Sequence, residues 1–395
     1  MPIINRIADF HAEMTAWRHQ LHAHPETAFE EHNTAAFVAE RLESFGIAVT
    51  RGIAGTGVVG TLHGSPGSGA IALRADMDAL HIHEQNQFAH ISQRRGRMHA
   101  CGHDGHTAML LGAARHLAET RNFAGTIHFI FQPAEENEGG ARVMIEEGVL
   151  ERYPVDAVFG MHNWPELPAG QFAIQPGPMM AAFDIFEIKI TGRGGHAAMP
   201  HLAVDPIVAA AQIVNALQTI ASRNIHPLES AVVSVTQIHG GDTWNVIPET
   251  VLLRGTTRSF SPDVRDRIEP LLRRIAEGAC AGCGAEVELF YERRYPPTLN
   301  AAAQTEQAAA AAAAIVGESN VERRLMPSMG AEDFAFFLEK KPGAYIWIGN
   351  GTAEGGGMLH SPHYDFNDAI LPLGASYWVQ LAEKALSKDH TTGRP

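Results

Sequence analysis

Segments that predict strands alternate with segments that predict helices along the first part of this chain, and this alternation constrains the fold most. Apolar runs at residues 69–80, 125–136 and 156–164 have the length and composition of buried strands. Apolar residues recur at helical spacing between them, at residues 3–45, 106–118 and 140–148. This order favours an α/β fold, a mostly parallel sheet flanked by helices.

A different order of elements begins at about residue 183. A strictly alternating strand is followed by a helix at 206–223, strands at 231–239 and 250–258, a helix at 262–279 and a strand at 285–292. The β-α-β-β-α-β order is typical of the ferredoxin-like split motif. We therefore predict a larger domain of residues 1–182 and 297–395 with an inserted ferredoxin-like α+β domain of residues 183–296. We expect residues 387–395 to form a frayed tail.

Composition and charge argue against several classes of function. The net charge of −14 disfavours a nucleic-acid partner, because phosphate binding needs a basic face. No apolar run reaches the roughly 18 residues of a membrane span, and charges are scattered through the segment where a signal peptide needs an apolar core. Three cysteines are too few for a disulfide framework. We expect a cytoplasmic protein that binds neither nucleic acid nor membrane.

Residues that can ligate metals cluster in five short segments of a chain with 22 histidines. In open α/β sheets, ligands bind at the carboxyl ends of strands, where several of these segments are predicted to lie. Thiolate, imidazole and carboxylate groups together suit zinc or a neighbouring divalent transition metal. The clustered residues are Asp76 and Asp78; His99, Cys101, His103, Asp104 and His106; Glu135 and Glu136; His162; and His360 and His363.

The adjacent pair Glu135 and Glu136 is the most informative of these signals. It follows an apolar strand that ends in Gln-Pro, so the two carboxylates would repel each other there unless a cation stabilised both. A solvated surface loop is the alternative interpretation, as a buried core histidine is for His162 taken alone. Two metal ions about 3.5–4 Å apart can share a water and polarise a carbonyl. One glutamate could then be a ligand and the other a general base.

Longer segments, in order along nearly the whole chain, resemble a known family. They include RADMDAL, MHACGHDGHTAMLLGAA, FQPAEENEGGARVMIEEG, GRGGHAAMPH, NVIPETVLLRGTTRS, SMGAEDFAFFLEKKPGAYIWIGNG and LHSPHYDFND. The chain resembles the metal-dependent aminoacylase and carboxypeptidase superfamily, in its branch of hippurate hydrolases and auxin-conjugate hydrolases. The resemblance implies a di-metal exopeptidase fold. It also implies hydrolysis of the linear amide bond of an N-acyl amino acid, which releases a carboxylic acid and a free amino acid.

The resemblance assigns roles to residues of the larger, catalytic domain. Glu135 matches the general base. Asp76 matches a carboxylate that supports the metal centre by fixing the orientation of its ligands. Two divalent ions per chain are implied, with zinc, manganese, cobalt and nickel as candidates. Their ligands would be Cys101, His103, Glu136, His162 and His360.

In the inserted domain the resemblance implies contacts with the substrate. His196 matches a histidine that would stabilise the oxyanion, although its glycine-rich segment could also form a plain turn with the ring in solvent. Asn245 and Arg258 match positions near the substrate carboxylate, which suits an arginine fork. A strand-end salt bridge is the alternative for Arg258. The inserted domain could also pair two chains through an edge strand, which would make a homo-oligomer.

Other readings of the sequence stay open. His81 stands where the family usually has proline, in a loop beside the cleft, which obscures the acyl preference. Cys280 and Cys283 form a C-x-x-C pair that lacks the second half of a zinc site. N-acetyl amino acids, N-acetyl-diaminopimelate and dipeptides are alternative substrates. A catalytically inactive small-molecule-binding protein, or a mononuclear or redox metalloprotein that uses Cys101, is the alternative from another class.

Overall fold

The computed structural model describes residues 3–351 and 357–388. The chain forms two compact units. Unit 1 comprises Met1–Met179, Leu299–Met326 and Asp333–Pro395, and unit 2 comprises Met180–Thr298 and Pro327–Glu332. Of the predicted tail at 387–395, residues 389–395 lie outside the described part of the chain. Within the described residues, no helix combines the length and the apolar character needed to cross a membrane.

Strands occur in both units, and we number them in chain order. They are β1 (Ala48–Ile53), β2 (Gly57–His63), β3 (Ser65–Asp76), β4 (Ala124–Gln132), β5 (Ala157–Trp164), β6 (Phe172–Ala173), β7 (Gly177–Met180), β8 (Ala182–Thr191), β9 (Gly195–His196), β10 (Ala231–His239), β11 (Val246–Ile247), β12 (Thr250–Ser259), β13 (Glu286–Tyr295), β14 (Thr298–Asn300), β15 (Val321–Glu322) and β16 (Gly343–Gly349).

The helices are α1 (Asn5–Asp9), α2 (His11–Ala23), α3 (His32–Ser44), α4 (His103–Thr120), α5 (Gly140–Glu146), α6 (Val149–Arg152), α7 (Pro206–Leu217), α8 (Pro262–Cys283), α9 (Ala302–Val316), α10 (Ala335–Lys340) and α11 (Leu371–Ala385). The helical spacing over residues 3–45 is thus divided among three helices. The break between α2 and α3 falls at Pro25, because a residue before proline avoids the helical conformation.

Unit 1 is built on an eight-stranded mixed sheet in the order β1-β2-β4-β3-β5-β16-β6-β15. Its centre, β4-β3-β5-β16, is parallel, and β1 and β2 add antiparallel strands at one edge. The central strands are almost wholly buried, as expected where helices cover both faces. Large side chains such as Phe129, Phe159 and Trp378 fill the core. The predicted α/β fold class is confirmed.

Unit 2 is built on a four-stranded antiparallel sheet in the order β10-β12-β8-β13. Side chains of β8 alternate between buried and partly exposed positions, so one face of the sheet packs on α7 and α8. Asp205 and Ser261 cap the first turns of these two helices, and Pro206 and Pro262 occupy their first positions. The order of strands and helices is that of the ferredoxin-like motif.

Candidate metal centre

Neighbouring strands of unit 1 end at one edge of the sheet and bring the candidate residues together. Asp76 ends β3 and pairs in register with Gln132, the last residue of β4. Glu135 and Glu136 follow in the loop after β4, and His162 lies close to the end of β5. Because parallel strands point the same way, their carboxyl ends form a common binding edge.

Cys101 and His103 approach this edge from the start of α4. His103 is the first residue of the helix, and Gly102 before it has a φ angle of 91°. A Cβ atom at Gly102 would lie 2.2 Å from Oδ1 of Asn163, so only glycine fits. The tight turn therefore directs the thiol of Cys101 and the imidazole of His103 to the same place.

The five residues predicted as metal ligands fall into two groups of potential ligand atoms. One group is Cys101, His103 and His162, and the other is Cys101, Glu136 and His360; within each group the atoms lie within 4.8 Å of one another. Cys101 belongs to both groups. The two groups could therefore hold two ions, and Cys101 is placed to serve either group.

The loop that carries Glu135 and Glu136 is held by Asp78, a buried residue to which the sequence assigned no definite role. The N–H of Glu135 donates to Oδ1 of Asp78 at 3.0 Å, and the N–H of Glu136 donates to Oδ2 at 2.9 Å. Nδ1 of His103 lies 3.3 Å from Oδ1 of Asp78. The carboxylate of Glu135 in turn accepts from the N–H of Asp333 at 3.4 Å.

Asp76 makes its shortest contacts with residues beside the two ligand groups and not with the predicted ligands themselves. Its Oδ1 lies 2.6 Å from Nδ1 of His106, and its Oδ2 accepts from Nη1 of Arg74 at 2.7 Å. Nε2 of His103 lies 3.8 Å from Oδ2 of Asp76. Burial opposes ionisation, but the charges on His103 and Arg74 hold the pKa of Asp76 well below its usual range.

A chain of polar contacts continues from His106, which the sequence indicated only as one of several residues able to ligate a metal. Nε2 of His106 lies 2.7 Å from Oδ1 of Asn163, and Nδ2 of Asn163 donates to the hydroxyl of Tyr364 at 2.5 Å. Nδ1 of His162 lies 2.7 Å from the carbonyl oxygen of Asn163, which orients that ring. For Asn163 and Tyr364, the only signal in the sequence was proximity to candidate ligands: Asn163 follows His162, and Tyr364 lies in the segment of His360.

His360 is placed by its backbone as well as by its side chain. Its φ angle of 66° is unusual for a residue with a side chain, and its N–H donates to the carbonyl oxygen of Ala100 at 2.8 Å. Nε2 of His360 lies 3.2 Å from Oε1 of Glu136, which raises the pKa of the imidazole. The C-terminal segment is thereby joined to the loop of Cys101.

The electrostatics of the groups fit a bound cation. Burial and the charges of Glu136 and Glu135 raise the pKa of the Cys101 thiol well above its usual value. Although burial opposes it, the carboxylates of Asp76 and Asp78 raise the pKa of His103 to about 10. Nε2 of His103 is buried without a hydrogen-bond partner among the described residues, and Oε1 of Glu136 is buried 3.2 Å from Nε2 of His360. A divalent cation would satisfy these atoms and favour the thiolate.

The predicted substrate-contacting residues lie in unit 2. His196 and Asn245 are both exposed and close together, because β9 pairs with β11 and the N–H of Ala197 donates to the carbonyl oxygen of Asn245 at 3.0 Å. Arg258 lies on β12 with its guanidinium 4.2 Å from the ring centroid of Phe183. Burial lowers the pKa of Arg258. An aromatic ring thus lies beside this guanidinium.

Several other candidates of the sequence lie apart from the two groups. His81 and His363 are exposed. His99 is buried, neither of its ring nitrogens has a hydrogen-bond partner among the described residues, and burial lowers its pKa to about 4. Cys280 and Cys283 are free thiols at the end of α8, and neither belongs to a potential metal group among the described residues.

Comparison with known families identifies the chain. A model of peptidase family M20/M25/M40 matches residues 72–384, which include every member of the two ligand groups. The chain belongs to this family. The predicted resemblance is confirmed, and so is the expectation that the chain is a hydrolytic enzyme.

Relatives within the M20 family match the chain over nearly its whole length. The N-acetylcysteine deacetylase of Bacillus subtilis is 43% identical over 94% of this chain and 97% of its own. The hippurate hydrolase of Campylobacter jejuni is 41% identical over 98% and 100%. The crystal structure of a dinuclear metal binding peptidase of the M20 family from Bacillus subtilis is 38% identical, covers 96% of this chain and 99% of its own, and superposes with a TM-score of 0.84.

Proposed function

We propose that this M20 family member hydrolyses the amide bond of small N-acyl amino acids, with hippurate-like compounds as the first candidates. The observation that carries the proposal is the pair of ligand groups that share Cys101, with the carboxylate of Glu135 beside them. The two divalent ions would be held by Cys101, His103, Glu136, His162 and His360. The hippurate hydrolase of Campylobacter jejuni, at 41% identity, and the dinuclear peptidase structure support this chemistry.

The reaction needs a proton carrier, and Glu135 suits that role. Bound at the ligand groups, two divalent ions supply Lewis-acid chemistry, by which a water is activated and a carbonyl oxygen polarised. Glu135 takes the proton of the attacking water on a carboxylate oxygen and delivers it to the nitrogen of the leaving amine. Glu135 is buried, with only 6% of the residue exposed, so few bulk waters compete for that proton. The products are a carboxylic acid and a free amino acid.

The other predicted site residues take supporting roles in the proposal. Asp76 orients His106 and, through Asn163, the backbone that carries His162. In unit 2, His196 stabilises the oxyanion of the tetrahedral intermediate, and Asn245 and Arg258 bind the free carboxylate of the substrate. The pairing of β9 with β11 supports a joint role for His196 and Asn245.

Deacetylation of N-acetyl amino acids is the second candidate function. It is favoured by the N-acetylcysteine deacetylase of Bacillus subtilis, which is 43% identical to the chain. A benzoyl group and an acetyl group differ greatly in apolar area, so the acyl preference should depend on the size of the acyl pocket. A cytoplasmic location and a homo-oligomer formed through the edge strand β10 are further proposals. The three free thiols support the first, and the edge position of β10 supports the second.

The decisive experiment compares wild type with Glu135→Ala on a panel of N-benzoyl, N-acetyl and indole-acetyl amino acids. Each protein is stripped of metal and reloaded with zinc, manganese, cobalt or nickel. We expect amino-acid release only with metal, and a loss of at least about a hundredfold in kcat for Glu135→Ala with two ions still bound per chain. A metal-loaded wild type that cleaves nothing on the panel, or a fully active Glu135→Ala, would contradict the proposal.

A further inference from the structure

Glu31 is a fully buried glutamate that the proposed mechanism does not use. It is 0% exposed and lies immediately before α3, in a segment that follows Pro25. Burying a carboxylate is costly unless its oxygens accept hydrogen bonds. The contacts of Glu31 therefore indicate what this carboxylate does in the fold.

Both oxygens of Glu31 accept hydrogen bonds from distant parts of unit 1. Oε2 accepts from the hydroxyl of Thr56 at 2.6 Å, and Oε1 accepts from the N–H of Ala134 at 2.9 Å. Ala134 directly precedes Glu135, the proposed general base, and has a φ angle of 54°. This left-handed conformation is unfavourable for a residue with a side chain, because the Cβ atom comes too close to the following carbonyl oxygen. A fixed acceptor for its N–H offsets that cost.

Glu31 completes a set of contacts that holds the whole turn. Three successive N–H groups, those of Ala134, Glu135 and Glu136, donate to two buried carboxylates, the first to Glu31 and the other two to Asp78. On the far side of the loop, the N–H of Gly140 donates to the carbonyl oxygen of Ala134 at 2.9 Å. Hydrogen bonds to both the N–H and the carbonyl oxygen of Ala134 therefore restrain the turn that carries Glu135.

We propose that Glu31 is a positioning residue for Glu135, because it holds the left-handed turn at Ala134 that aims the general base. The proposal rests on the proposed function, since it concerns the base of that reaction. Glu31 reaches this loop through the N–H of Ala134, so it acts on Glu135 through the backbone. A misplacement of about 1 Å at a reacting group can cost about a hundredfold in rate.

The environment of Glu31 indicates that its acceptor oxygen matters more than its charge. Burial and the nearby charge of Asp78 raise the pKa of Glu31 to about 7. A neutral group of the same shape can therefore take its place. Glutamine keeps the acceptor for Ala134 and can direct its NH₂ group at the hydroxyl oxygen of Thr56, whereas aspartate keeps the charge but is one methylene too short.

The test compares four variants as metal-loaded full-length enzymes: Glu31→Gln, Glu31→Asp, Glu31→Ala and the control Glu30→Gln. Glu30 is the exposed neighbour, paired with Arg97 at the surface. For each variant one measures kcat and KM on the best substrate of the panel and the metal content per chain. Hydrogen exchange of peptides that span residues 132–140 is followed by mass spectrometry.

We expect Glu31→Gln and Glu30→Gln to keep kcat within about threefold, while Glu31→Asp and Glu31→Ala lose about 10–100-fold. KM and metal content should stay near those of wild type, and exchange in residues 132–140 should quicken only in the two impaired variants. Glu31→Asp decides the question if Glu31→Ala does not fold, because it leaves no large cavity.

Three results would overturn the positioning role: full activity of Glu31→Asp, a loss in Glu31→Gln as large as that in Glu31→Asp, or a loss of bound metal that parallels the loss of rate. If wild type cleaves nothing on the panel, the proposed function fails by itself. Hydrogen exchange then decides the role of Glu31: faster exchange in Glu31→Asp but not in Glu31→Gln supports it, and unchanged exchange in Glu31→Asp rejects it.

Discussion

Oδ1 of Asp78 accepts the backbone N–H of Glu135 at 3.0 Å, which ties the loop after β4 to the residues that follow β3. The same carboxylate accepts the N–H of Glu136 through its other oxygen and lies 3.3 Å from Nδ1 of His103. One buried aspartate thus contacts the imidazole of a proposed ligand and the backbone of both glutamates. The relative position of the proposed base and the proposed ligands depends on it.

Replacing Asp78 by asparagine should therefore weaken metal binding and catalysis together. Asparagine has one acceptor oxygen, so one of the two N–H groups loses its partner and the NH₂ group faces a donor. We expect about a 10–100-fold loss of metal affinity, measured by titration calorimetry on the stripped protein, and a parallel loss of kcat. Asp156→Asn is the control, because exposed Asp156 also accepts a backbone N–H, that of Ala70. Equal metal affinity in the two variants would contradict the role of Asp78.

Two fully buried tyrosines should respond differently to the loss of the hydroxyl group. The hydroxyl of Tyr364 accepts from Asn163, whereas the hydroxyl of Tyr377 has no hydrogen-bond partner among the described residues. Tyr364→Phe should lower the free energy of unfolding by about 1–3 kcal/mol, because Asn163 is left unsatisfied. Tyr377→Phe should be neutral or stabilising. Urea unfolding of both variants provides the measurement, and equal effects would show that the contact with Asn163 is unimportant.

His128 should make the stability of the protein depend on pH. Burial, with a smaller effect of the charge on His63, lowers the pKa of His128 from 6.5 to about 4. Between these values the unfolded chain binds a proton that the folded chain excludes. The free energy of unfolding therefore falls as the pH drops from about 6.5 towards 4, by about 3 kcal/mol in total.

His128→Gln should remove that contribution, so its stability should fall less than that of wild type between pH 7 and pH 4.5. The comparison uses urea unfolding at several pH values within this window. His24→Gln is the control, because His24 is exposed. Parallel curves for wild type and His128→Gln would mean that another group causes the dependence.

A buried and an exposed ion pair of unit 2 allow a matched test of stability. Arg265 donates to buried Asp184 through Nε and Nη2, whereas Arg293 pairs with Asp266 at the exposed surface. Arg265→Ala should destabilise by about 3–5 kcal/mol, because it leaves the Asp184 carboxylate without its cation. Arg293→Ala should cost at most about 1 kcal/mol. Thermal unfolding of both variants measures the difference, and similar melting temperatures would be evidence against it.

The sequence predicted the fold class because the spacing of apolar residues is local. The continuous apolar runs of β4 and β5 and the alternating pattern of β8 can each be recognised within a few residues. The helix boundaries were less well predicted at the N-terminus, where helical spacing continues through the break at Pro25. The residue types of the candidate site were also visible, since Cys101 and His103 or Glu135 and Glu136 stand side by side.

By itself, then, the sequence determined the fold class, the family resemblance and the set of chemically capable side chains. Only the tertiary structure decided which of them meet: that Cys101 belongs to two ligand groups, that Asp78 and Glu31 hold the turn of Glu135, and that Tyr364 supports Asn163. The physical reason is that a buried N–H or carboxylate must find a partner wherever the fold places one. Such partners lie far apart along the chain, so no local pattern of residues can indicate them.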